Sequence, residues 1–106
     1  GKYMEIKYRL DKDTLYIYSY GELDEYSAAS ARGEIDRIID ENALYKSVVF
    51  DFANVSFMDS TGIGVLLGRY KKLKRIGARS YISRPSFAVN KILQISGLYE
   101  VMPKIN

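Results

Sequence analysis

The chain has 106 residues, 47% of them hydrophobic and 27% charged, the balance of one ordinary globular domain rather than of a disordered or fibrous chain. It contains no cysteine and no histidine, which excludes a disulfide framework, a thiolate nucleophile, a cysteine-based zinc site and a Ser-His-Asp hydrolase, and removes the usual base near neutral pH. The net charge of +3 is mild, and no apolar run approaches the roughly 20 residues of a membrane span.

No repeat, low-complexity tract or linker interrupts the chain, so residues 1–106 read as a single domain. The first segment, 3–10, alternates. Met4, Ile6, Tyr8 and Leu10 share one face, and Tyr3, Glu5, Lys7 and Arg9 the other. That predicts a strand with one buried face. The alternating, charged start is not a signal peptide, so the cytoplasm is the expected compartment. Asp11-Lys12-Asp13 is a polar turn. A second strand over 14–20, rich in β-forming residues, completes a hairpin. Tyr16, Tyr18 and Tyr20 line one of its faces, a pattern that suits half-buried packing.

Gly21-Glu22-Leu23-Asp24 breaks this strand. A helix is expected over 27–41, where Ala28, Ala31, Ile35, Ile38 and Ile39 recur at helical spacing. The run Val48-Val49-Phe50-Asp51-Phe52 predicts a central strand over 47–52, covered on both faces. Residues 53–61 then read as a loop into a second helix. Its stripe is Ile63, Leu66, Leu67, Tyr70 and Leu73, it ends near Ile76, and Gly77 is a plausible stop. A short strand over 78–83 follows. Pro85 suits the start of a third helix over 86–96, closed by Gly97, and 98–105 is a short tail with apolar side chains.

The order β-β-α-β-α-β-α predicts an α/β fold, a mixed sheet of about four strands with helices packed on it. Residues 47–83 should form a right-handed parallel crossover. Functional loops in such sheets leave the carboxyl ends of strands. Here those loops are 21–26 and 53–61.

The stretch Phe57-Met58-Asp59-Ser60-Thr61-Gly62-Ile63-Gly64-Val65-Leu66-Leu67-Gly68-Arg69-Tyr70-Lys71 closely resembles the signature of bacterial anti-sigma factor antagonists, the single-domain STAS proteins. Gly21-Glu22-Leu23-Asp24 resembles the family's other recurring loop, and Ile95-Ser96-Gly97-Leu98 is also similar. The likeness runs in order over nearly the whole chain. It is nearest to the sporulation-type antagonists, with the general stress-response type next. The resemblance implies a STAS fold and a partner-switching cycle. In that cycle the unphosphorylated antagonist binds an anti-sigma factor that is also a serine kinase, and the sigma factor is released. The kinase then phosphorylates the antagonist on the serine after the motif aspartate, here Ser60 after Asp59. A PP2C-type phosphatase resets it. Longer members of the family carry a final helix, which a chain ending at Asn106 is expected to have short or missing.

From the residues themselves, Ser60 stands where a loop hands over to a helix, and serine there is a good N-cap. Capping and phosphorylation are compatible, because a helix start is exposed and its dipole tolerates negative charge. Thr61 is the rival acceptor, stiffer and inside the first turn. Asp59 favours the helix start, and it could equally orient the Ser60 hydroxyl or meet a kinase. Gly62 and Gly64 each cost about 1 kcal/mol of helix propensity, so something must approach the backbone closely there: a neighbouring strand or a partner surface. Glu22 and Asp24 suit a turn, and at the same sheet end they could form an acidic docking edge for a partner's arginines.

Arg69, Lys71, Lys72, Lys74 and Arg75 form the polar face of the second helix. A solvated face is expected, with Arg69 or Lys72 rimming the partner site, and no nucleic-acid platform accompanies the cluster. Neither a metal nor a cofactor is expected, nor an enzyme. A nucleotide hydrolase is disfavoured because no phosphate loop accompanies the glycines. The alternatives are a STAS subunit of another regulatory or stress-sensing assembly, which the family allows to bind nucleotide weakly, or a piece of an anion transporter.

Overall fold

Residues 4–105 are described in the computed structural model of the chain; Tyr3, which the alternation assigns to the first strand, lies outside them. The elements run β1 (Glu5–Asp11), β2 (Thr14–Leu23), α1 (Ala28–Glu41), β3 (Ser47–Met58), α2 (Ser60–Arg75), β4 (Arg79–Ser83), α3 (Phe87–Ile95), a short 3-10 turn (Leu98–Glu100) and β5 (Lys104–Ile105). The expected order stands, with a fifth strand added. The sheet order is β1-β2-β3-β4-β5. β1 is antiparallel to β2, and every other neighbouring pair is parallel.

The hairpin is as expected: Asp11 pairs with Thr14, and Lys12 takes a left-handed φ of 57° at the turn. β5 has two residues, which pair with Ile82 and Ser83. So short a strand has no periodicity to read, which is why the tail gave no strand signal. Within that tail Leu98 and Met102 are buried.

β2 and β3 both run further than the sequence suggests. The presumed loops at 21–26 and 53–61 are strand as far as Leu23 and Met58, which pair with each other. Two register shifts explain the mismatch, between Tyr18 and Tyr20 and between Gly21 and Glu22. At each, β3 carries one residue more than β2, and a bulge of that kind resets the alternation that marks a strand. Asp51 pins the first bulge by accepting the Ala53 amide at 3.0 Å.

One face of the sheet carries the core. Leu15, Ile17, Val48, Phe50, Phe52 and Ile82 join the buried residues of all three helices in a single cluster. Strand residues at alternate positions share a face, so Tyr16, Tyr18, Tyr20, Val49, Asp51 and Tyr81 belong to the other one. The three β2 tyrosines are half-buried there, and Val49 and Asp51 are buried, as expected of a central β3. The predicted buried face of the first segment holds for Met4, just before β1, and in part for Ile6, but not for Tyr8 and Leu10, which stay exposed. The α2 stripe also shifts: Leu66 and Leu73 are buried and joined by Val65, while Leu67 is exposed. No helix among the described residues is long and apolar enough to cross a membrane.

Candidate docking site at the start of the second helix

The chain leaves β3 at Met58 and enters α2 at Ser60 with one residue between. That residue, Asp59, is the N-cap. Its backbone is extended (φ −116°, ψ −172°), and its side chain accepts from the amides of Thr61 at 2.9 Å and Gly62 at 3.2 Å. Its carbonyl accepts the first helical bond, from the Ile63 amide at 3.2 Å, and its own amide donates to the Leu23 carbonyl at 3.3 Å. The expectation that Ser60 caps the helix is therefore corrected. A carboxylate one residue earlier reaches the free amides and gains from the helix dipole besides. Ser60 is the first helical residue. It is exposed, and its hydroxyl has no partner among the described residues. Thr61, beside it, is exposed as well.

Gly62 is buried against the end of β2. A Cβ placed on it would lie 2.7 Å from Met58 Cγ, 2.8 Å from the Leu23 carbonyl oxygen and 2.9 Å from Leu23 Cγ. No real side chain fits those distances. The close approach that the glycine requires is thus made by the neighbouring strands. A Cβ on Gly64 would meet nothing within 4 Å, and Gly64 leaves the exposed surface one turn beyond Ser60 open.

The β2 end contributes Glu22 and Asp24, in different ways. Glu22 is exposed, and its carbonyl accepts from the Ser27 hydroxyl at 2.6 Å. Asp24 is buried, and its carboxylate accepts from the amides of Tyr26 at 2.9 Å and Ser27 at 3.1 Å. The Ser27 hydroxyl in turn accepts from the Asp24 amide at 3.1 Å. This reciprocal pair holds the turn that launches α1. Its geometry gives Asp24 the turn role and leaves Glu22 on the surface.

Arg69 and Lys72 lie apart from this end, roughly 14 and 18 Å along the helix axis from Ser60 at 1.5 Å per residue. Arg69 is only 9% exposed, not part of a solvated face. Its Nε stands 2.9 Å from Asp36 Oδ1 on α1. The angle is too poor for a hydrogen bond, and Nη1 has no partner either, so the attraction is Coulombic. Burial lowers the Arg69 pKa below the usual arginine value; Asp36 opposes this, and neighbouring Arg32 adds to it. Lys72 Nζ reaches Asp40 at 3.0 Å and Asp36 at 3.6 Å. Both cations tie α1 to α2.

Three exposed apolar side chains were not anticipated as part of the site: Tyr26 in the turn before α1, Phe57, which is Glu22's register partner at the β3 end, and Leu67 two turns into α2. Phe57 was within the recognised motif, but the bulges hid which way it faces. With exposed Glu22, Ser60 and Thr61 and half-buried Asp59, they give the segments around the ends of β2 and β3 the composition of a protein-docking patch.

A profile of the STAS domain matches residues 5–106. The anti-sigma F factor antagonist of Paenibacillus polymyxa is 31% identical over 94% of this chain and 85% of its own length. The structure of the anti-sigma factor antagonist SpoIIAA in its unphosphorylated form superposes with a TM-score of 0.77, at 31% identity, over 97% of this chain and 88% of that one. The phosphorylated form of SpoIIAA, a Bacillus cell fate determinant, gives 0.68 at 30% identity, over 97% and 91%. Sequence and fold agree, and the chain belongs to the STAS domain family.

Proposed function

We propose that this protein is an anti-sigma factor antagonist that works in the cytoplasm by partner switching. Unphosphorylated, it binds an anti-sigma factor serine kinase and so frees the sigma factor. Phosphorylation of Ser60 ends that binding, and a PP2C-type phosphatase restores it. The contact surface is Glu22, Asp59, Ser60 and Thr61 with Tyr26 and Phe57, on the rigid base that Gly62 allows. Asp24 acts by holding the turn beneath it, and Arg69 and Lys72 act by fixing α1 against α2. The observation that carries this reading is the Ser60 hydroxyl: exposed and without a partner among the described residues, on a helix start whose capping is done by its neighbour.

The chemistry of the switch follows from the position. A phosphoserine brings about −1.5 to −2 charges at neutral pH. The helix dipole favours that charge, while the Asp59 carboxylate beside it already holds the Thr61 and Gly62 amides. The phosphate therefore projects outward, into the space a partner must fill, and repels or obstructs it without unfolding its own domain.

The test uses an anti-sigma F serine kinase, ATP and phosphopeptide mapping. Label is expected on Ser60, absent from Ser60→Ala, with Thr61→Val still labelled. In a binding assay Ser60→Ala keeps kinase affinity and the phosphorylated protein loses it by at least about ten-fold, or 1.4 kcal/mol. Label on Thr61, or equal affinity of both forms, overturns the reading.

A further inference from the structure

Where α2 turns into β4, far from Ser60, the surface opens into a cavity of about 260 Å3 lined by Tyr70, Lys74, Arg79, Ser80, Tyr81 and Val101 among others. The fold creates it. β5 is two residues long and pairs with Ile82 and Ser83, so the start of β4 at Arg79–Tyr81 has no strand on its outer side among the described residues.

Three properties of this cavity converge on one ligand chemistry. Tyr70, Ala78, Tyr81, Val101 and Pro103 are among its lining residues, a largely apolar and aromatic set that suits a flat apolar body. Ser80, which lines it, is 4% exposed, and its hydroxyl has no hydrogen-bond partner among the described residues. Buried hydroxyls are normally paired, and one left alone marks a place where another group belongs. Lys74 and Arg79 bring two positive charges with no acidic partner among the described residues; Lys74 Nζ instead lies 5.9 Å from the centroid of the Tyr70 ring. The cavity is smaller than the roughly 300–1,000 Å3 typical of drug-sized ligands, so a single-ring molecule is the right scale.

We infer that this cavity binds a small aromatic carboxylate. The ring packs on Tyr70 and Val101, the carboxylate meets Lys74 and Arg79, and a polar ring substituent pairs with the Ser80 hydroxyl. Tyr70 stands roughly 15 Å along α2 from Ser60, so the cavity is separate from the docking surface and stays open in either phosphorylation state.

The probe is para-hydroxyphenylacetate, titrated into isotope-labelled protein and followed by two-dimensional amide NMR. Saturable shifts are expected on the amides of Tyr70, Lys74, Ala78 to Tyr81 and Val101, and Ser60→Asp should leave them unchanged. Lys74→Gln and Arg79→Gln should each weaken binding by about five-fold, close to 1 kcal/mol on the affinity scale. The neutral para-hydroxyphenylacetamide should bind more weakly than the acid. Phenylacetate should bind more weakly than the hydroxylated acid to the wild type but equally to Ser80→Ala. No saturation at tens of millimolar, shifts scattered over lysines and arginines elsewhere, or equal binding of acid and amide would each overturn the inference. Should Ser80→Ala lose its native spectrum, the comparison of phenylacetate with its hydroxylated form on the wild type decides the Ser80 contact, and equal affinities count against it.

Discussion

Asp59 accepts the amide of Thr61 at 2.9 Å across the residue between them. The side chain that secures α2 and the side chain proposed as the phosphoacceptor are therefore different residues. Separate roles predict separate phenotypes. Asp59→Ala should lower stability by about 1 kcal/mol, the usual cost of a lost N-cap, which is about 4–8 °C in Tm for a domain near this size. Asp59→Asn keeps the acceptor and should lose only part of that. Ser60→Ala touches no hydrogen bond and should stay within about 0.5 kcal/mol of wild type. Thermal melts of the three variants check this. A Ser60→Ala loss as large as that of Asp59→Ala would return the cap to Ser60.

The two glycines of the motif should part in the same kind of experiment. Gly62→Ala gains about 1 kcal/mol of helix propensity. It also forces a methyl to within 3 Å of the Leu23 carbonyl and the Leu23 and Met58 side chains. Overpacking of this kind costs about 1–3 kcal/mol or more, and because one of the neighbours is backbone it cannot swing away. A net loss of stability is expected. Gly64→Ala meets nothing and should gain up to about 1 kcal/mol, raising Tm. Denaturant midpoints at unchanged slope measure both. Since Gly64 faces the open surface near Ser60, a large residue such as Gly64→Phe should fold normally and lose kinase binding.

Arg69 and Asp36 form a partly buried ion pair with poor hydrogen-bond geometry. Such a pair adds little on balance, yet breaking one side leaves the other charge stranded. Removing a partner from a fully buried pair costs about 3–5 kcal/mol; Asp36 keeps 29% side-chain exposure, so about 1–3 kcal/mol is expected for Asp36→Ala. Lys72 loses its weaker contact to Asp36 at the same time and retains Asp40. Arg69→Met, which removes the buried charge itself and keeps its bulk, should be near neutral, and Asp36→Ala added to Arg69→Met should cost little further. That double-mutant cycle isolates the pair. Equal losses for Asp36→Ala with and without Arg69 would show that the carboxylate acts elsewhere.

What the sequence made legible follows physical lines. Val48 to Phe52 read as a central strand because burial on both sides leaves a run of apolar residues. The helices showed in the spacing of Ala31, Ile35, Ile38 and Leu66, Leu73. The family motif pointed to Ser60. What stayed hidden depended on geometry that no local pattern encodes. The β3 bulges broke the alternation after Phe52, so strand looked like loop and the exposure of Phe57 could not be foreseen. The one-residue handover to α2 decides whether Asp59 or Ser60 caps it, and both residue types cap well. Arg69 looked like its basic neighbours, and only the packing of α1 against α2 buries it. β5 is made by its pairing with β4 rather than by its own two residues.

The tyrosines give a test at alkaline pH. Tyr45 donates to the Ile39 carbonyl at 3.1 Å, and Tyr99 donates to Asn90 Oδ1 at 2.6 Å. Both phenols are held above the ordinary tyrosine pKa, in each case chiefly by burial, with Asp40 adding to the effect at Tyr45. A raised folded-state pKa means the folded chain keeps its proton at a pH where the unfolded chain has lost it. The associated stability is fully present below about pH 10, the unfolded value, and is lost as pH rises through the folded pKa. Wild-type Tm should therefore fall as pH is taken from neutral to about 11, in a range where lysines also titrate. A Tyr45→Phe, Tyr99→Phe double variant isolates the phenols. It should be less stable at neutral pH, by about 1 kcal/mol per lost hydrogen bond, and its Tm should fall less steeply above pH 10, so that the two curves converge. Parallel curves across that range would show that neither half-buried phenol contributes to the alkaline transition.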